Sequence, residues 1–118
     1  MQVSSLASIV VGVLLTGCSH TVRLALPADR PVHVVADSHE QVIAPSDSRY
    51  RELQQWLAKN QKGWSPVFAT NPSGGVLVTA GDLWLQFFHT TVFTRTREGL
   101  LQKKVHSHDY GFLQPRSI

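Results

Sequence analysis

Only one cysteine, Cys18, occurs in 118 residues, so the chain cannot close an internal disulfide. Charge is also sparse: Asp, Glu, Lys and Arg make up 16% of the chain, and eleven Lys and Arg against eight Asp and Glu leave a formal excess of +3. Dedicated nucleic-acid binders carry a denser basic patch, so nucleic acid is not an expected partner. The sequence has no Gly-x-Ser-x-Gly elbow, no His-Glu-x-x-His and no phosphate-binding loop. Nothing singles out two carboxylates as a glycosidase pair. No catalytic residue and no cofactor is therefore nominated, and an enzyme is not the expected reading. No apolar run is long enough to cross a bilayer: Leu6 to Leu15, LASIVVGVLL, is the longest, and ten residues of helix reach about 15 Å, half of a hydrocarbon core.

That run has the length of a signal-peptide h-region. Directly after it stand Leu15-Thr16-Gly17-Cys18, which resembles the lipobox of bacterial lipoproteins: an aliphatic residue, a small residue, Gly or Ala, then Cys. The resemblance covers about the first eighteen residues. It implies that the Cys18 thiol receives a diacylglyceryl group, that a peptidase cuts before it, and that the new amino terminus is acylated, with palmitate as the expected chain. Small side chains at Thr16 and Gly17 let extended backbone into a narrow protease site, and only Cys offers a sulfur nucleophile for alkylation. A thioether also removes a free thiol that would be a liability in an oxidising compartment. The segment Met1 to Ser5 departs from the pattern in having no Lys or Arg. Ser19, by the same resemblance, directs the mature protein to the outer membrane facing the periplasm in a Gram-negative cell, and otherwise to the cell membrane. The expected organisation is a signal peptide over 1–17, a lipidated N-terminus and tether over 18–30, and a single small domain over 31–118.

Hydrophobic residues are 42% of the chain, a globular composition. β-type residues begin at Thr21 to Leu26, Pro27 and Pro31 interrupt them, and Val32 to Ala36 with Gln41 to Ile43 read as strands joined by a turn. The spacing of Tyr50, Leu53, Trp56 and Leu57 predicts a helix over about 47–62, with cap oxygens at Ser46 to Ser48 and a stop at Gly63. The period then changes to two, and turn residues divide strands over 66–70, 75–80, 83–89, 91–96 and 100–106, the last with a helical alternative. The expected fold is α+β: a curved antiparallel meander packed against one main helix.

Within it, His106 and His108 would share a strand face and could meet one metal ion, but the sequence has no second close-spaced ligand pair, so they read as solvated and no metal is nominated. Arg95, Arg97, Lys103 and Lys104 gather around the turn at Glu98-Gly99, as candidate contacts for an acidic partner, a headgroup or an anionic polymer. Trp84 and Phe88 fall on the face opposite Leu83, Leu85 and Phe87, so both sides of that strand are apolar and both need cover, from the N-terminal strands or from a partner. The six residues Arg95, Arg97, Lys103, Lys104, Trp84 and Phe88 are the candidate partner-binding set, and Cys18 the lipidation site. The expected function is a lipid-anchored module that binds, and neutralises, a protein partner such as a toxin or lytic enzyme. A structural or assembly accessory of an envelope or secretion complex is the alternative, followed by a small enzyme.

Overall fold

The computed structural model describes residues 20–68 and 72–114. Seven strands form one antiparallel sheet: β1 (Val32–Ala36), β2 (His39–Ile43), β3 (Ser65–Pro66), β4 (Val76–Ala80), β5 (Leu83–Phe88), β6 (Thr91–Thr96) and β7 (Gly99–Lys104). Their order across the sheet is β2-β1-β4-β5-β6-β7-β3. Helix α1 (Ser48–Lys59) joins β2 to β3. The architecture is α+β and dominated by the sheet.

Two-residue turns set the register. Asp37 and Ser38, at φ +50° and +66°, link β1 to β2 in the left-handed conformation, the geometry whose twist matches that of the flanking strands. Gly81-Asp82, His89-Thr90 and Arg97-Glu98 make the next three hairpins, so β4 to β7 are the expected meander. The β1–β2 hairpin docks on β4, with Val34 opposite Val78, and β3 lies beside β7 at the far edge.

Asp47 caps α1: its Oδ1 accepts from the Arg49 amide at 2.9 Å, and Arg49 closes back on the same carboxylate. The helix ends earlier than the expected 62, because Asn60 Nδ2 donates to the Trp56 carbonyl at 2.7 Å and satisfies the last turn there. Gly63, at φ +86°, serves instead the turn into β3. The expected strand at 66–70 is reduced to Ser65–Pro66, and 69–71 fall outside the described residues; Pro66 has no N–H to extend a ladder. Gly99–Lys104 is strand despite its helix formers, since six residues pair with β6. Residues 21–26 are extended but join the sheet only through the bridge His20–Trp64.

One face of the sheet carries the core. Tyr50, Leu53, Trp56 and Leu57 of α1 are buried on it, against Val34, Val78, Leu85 and Phe87. Phe87 is wedged between two rings, Trp56 edge-on at 5.1 Å and Tyr110 stacked at 4.7 Å. Tyr110 comes from a 3-10 helix, Ser107–Leu113, kinked at Tyr110 and not expected from sequence. Its hydroxyl donates to the His89 carbonyl at 2.8 Å, fixing it to the β5–β6 turn, and burial pushes its phenol pKa up. The N-terminal segment covers the rest of this face. Leu24 is in the core, the Gln61 amide holds both its N–H (2.8 Å) and its carbonyl (2.9 Å), and Tyr50 Oη donates to the Pro27 carbonyl at 3.0 Å. Residues 20–27 thus pack on the domain rather than standing away from it.

Candidate functional site

Among the described residues no helix packs on the opposite face of the sheet. Strand alternation places Val35, Leu77, Gln86, Phe93 and Gln102 in one row across β1, β4, β5, β6 and β7. His33, Thr79 and Trp84 form a second row, and Phe88, Thr91 and Lys104 a third. The N-terminal strands, named from sequence as one cover for this side, do not provide it: they extend the sheet or pack on the helical face. Residues 72–75, which lead into β4, lie on it instead. Gln86 Nε2 donates to the carbonyls of Pro72 (2.7 Å) and Gly74 (2.9 Å), holding the connection over the middle of the sheet. Gln86 and its register neighbour Phe93 are both buried.

The roof is partial. Trp84, Phe88 and Leu77 are only half-buried, Val42 on the edge strand is 55% exposed, and Phe68, where the connection starts, is 95% exposed. A groove of about 600 Å³ runs between the roof at Pro72 to Gly75 and the sheet residues Val35, Leu77 and Trp84. Arg95 completes the surface: its Cζ stands 4.2 Å from the Trp84 ring centroid. A guanidinium over indole is attracted by the ring quadrupole and rigidifies both groups.

Of the sequence-derived set, Trp84 and Phe88 share this face, as expected from alternation, and Arg95, which sequence reading does not group with them, joins them there. The four basic residues do not form one patch. Arg97 lies in the β6–β7 turn, next to Arg95. Lys104 is on the Arg95 face but at the far end of β7, opposite Thr91. Lys103 points to the other face, where its Nζ donates to the Lys62 carbonyl. His106 and His108 are not on a strand. They open the 3-10 helix, exposed, with rings parallel at 5.4 Å and Asp109 binding both the His106 amide (3.0 Å) and His108 Nε2 (3.3 Å). Among the described residues no group of three or more His, Cys, Asp or Glu could hold a metal ion. Sequence reading missed Val35, Val42, Leu77 and Phe68. The first three follow from strand alternation once hairpin registers are known, whereas Phe68 carries no periodic signal.

Trp and Arg are among the residue types enriched at binding hot spots, and here the two stand together beside exposed apolar area. Cys18 lies outside the described residues, and no described helix is long and apolar enough to cross a membrane. No protein-family model, curated protein or solved structure matches the chain.

Proposed function

We propose that this chain is a lipid-anchored, periplasm-facing binding module that captures a protein partner on the second face of its sheet and neutralises it, the partner being a toxin or a lytic enzyme. The observation that carries the reading is the half-roofed apolar face, with Trp84 under Arg95 at its β4–β5 turn end and exposed Val42 and Phe68 at its margins. A central strand left apolar on both sides needs cover, and the β3–β4 connection supplies only part of it. The lipobox-like Leu15-Thr16-Gly17-Cys18 supports the anchor, and Ser19 the outer membrane of a Gram-negative cell. Tethering places a small binder where its partner arrives, raising its effective concentration at the membrane.

The test is site-specific photo-crosslinking in native membranes. A photoreactive residue replacing Phe88 or Val42 should give a discrete protein adduct, and one replacing Arg51, on the outer face of α1, should not. The purified partner should then lose its activity when the chain is added. Failure of every position on the face to give an adduct would remove it as the docking surface.

A further inference from the structure

We propose that the end of the domain built around residues 20–30 faces the membrane and seats anionic lipid headgroups. The site is the cleft between that segment and the β4–β5 and β6–β7 turns. This rests on the Cys18 anchor proposed above and adds to it an orientation and a ligand class.

Chain length comes first. His20 is held to the fold by two backbone hydrogen bonds with Trp64, at 2.7 and 3.2 Å, and Val22 by a third, to Gln61. Cys18 precedes His20 by two residues. Whatever their conformation, two residues reach at most about 7 Å. A lipid on Cys18 therefore brings the fixed part of the segment against the headgroup layer, with no slack for the domain to stand away. The surface beside His20 has to be compatible with lipid.

Charge comes second. The cleft, about 1250 Å³, is lined by residues 20–25 on one side and by 82–84 and 94–98 on the other. Arg23, Arg95 and Arg97 line it with His20, against Asp82 and Glu98. Further cations flank it. The Arg30 guanidinium lies against Gly81 of the β4–β5 turn, and Lys103 reaches the Lys62 carbonyl, two residues before the Trp64 that pairs with His20. Five cations, Arg23, Arg30, Arg95, Arg97 and Lys103, thus stand on or beside the segment and its cleft, against Asp29, Asp82 and Glu98. Among the described residues neither Arg23 nor Arg97 is held in an ion pair, so both guanidinium forks are available to phosphate oxygens.

The two facts reinforce each other. Attraction between exposed charges and an anionic surface fades within a Debye length, about 8 Å at physiological salt, so a basic patch acts only if something holds it close. Here the anchor point and the positive end coincide. With this end down, Trp84 and Arg95 lie at the membrane, and the rest of the second face, with Val35, Leu77 and Phe88, stands beside it, open to a partner.

The experiment uses the mature lipidated protein in vesicles, with a fluorophore on Ala25→Cys, at the cleft, or on Ser107→Cys, beyond the far end of β7. Cys18 is consumed by lipid, so each label is unique. Vesicles of phosphatidylcholine, with or without phosphatidylglycerol, carry a quencher on the headgroup. The expected result is stronger quenching at Ala25 than at Ser107, deepened by phosphatidylglycerol. That added quenching should be lost in high salt, and in the Arg23→Gln/Arg97→Gln double variant, which leaves Arg95 and Trp84 in place. Equal quenching at both labels overturns the orientation while co-flotation with vesicles leaves the anchor standing. Quenching indifferent to phosphatidylglycerol, salt and the variant overturns the headgroup site. A protein without lipid mass on Cys18 overturns the anchor and this proposal with it.

Discussion

Phe87 is where the packing argument is most exposed to refutation. Its ring is 1% accessible and sits between Trp56 of α1 and Tyr110 of the 3-10 helix. Removing a buried phenylalanine to alanine costs about 3–5 kcal/mol, a large share of the roughly 5–15 kcal/mol that stabilises a domain. The informative change is therefore Phe87→Leu, which keeps an apolar side chain and deletes the ring contacts. Two aromatic pairs at about 0.5–1.5 kcal/mol each set its cost at about 1–3 kcal/mol. Urea unfolding of a soluble chain beginning at Ser19, followed by tryptophan emission and circular dichroism, reads this directly. With a slope of about 1–3 kcal/mol per molar, the midpoint should fall by roughly 1 M. A cycle with Trp56→Leu should return a coupling of about 0.5–1.5 kcal/mol, since the rings touch. An unchanged midpoint for Phe87→Leu, or zero coupling, would mean that the ring fills space and nothing more.

Leu57→Ala should destabilise by about 2–5 kcal/mol, because Leu57 faces the sheet, whereas exposed Arg51→Ala should stay within about 0.5 kcal/mol; the same unfolding assay separates them. Gly75→Ala should be far worse than Gly74→Ala: both have positive φ, but a Cβ on Gly75 would meet the Phe87 carbonyl oxygen at 2.1 Å, and one on Gly74 nothing. Equal midpoints would refute the close approach of the roof to β5. Cys18→Ser should leave an unprocessed precursor that a fatty-acid analogue no longer labels; labelling as strong as in the parent would remove the anchor.

Much of the fold was legible because its signals are local. Alternation in VLVTA and LWLQFF, and turn residues between such runs, specify a meander by period and turn chemistry alone. Elsewhere the deciding contact is distant in sequence. Val22, Leu24 and Leu26 look like a strand, and are held instead by Gln61 across 37 positions. The end of α1 depends on a side-chain bond from Asn60 that outcompetes the glycine three residues on. The 3-10 helix hides among polar residues, its only trace being Tyr110 and Leu113 three apart, both buried. For the site, Trp84 and Phe88 were readable as one face, whereas Arg95 joins them only through the pairing of β5 with β6. The grouping of Lys103 with Lys104 was at odds with the strand period itself, since neighbours on a strand point to opposite sides.

The opening on the second face follows from the strand order. β3 pairs with β7 at the far edge and β4 lies beside β1, so three strands, β5, β6 and β7, separate the two ends of the connection. It cannot cross the helical face, which α1, Tyr110 and the N-terminal segment already fill. On the free face it is pinned at its downstream end, by Gln86 on Pro72 and Gly74 and by Gly75 against the Phe87 carbonyl. Those contacts place the roof over Gln86 and leave Val35, Leu77 and Trp84 beside it as the wall of a groove. None of the residues that shape the groove belongs to the helix–sheet core except through the Phe87 backbone. Sequence change in the connection can therefore reshape the groove while α1 and the meander keep their packing, so the shape of this surface is separable from the stability of the fold.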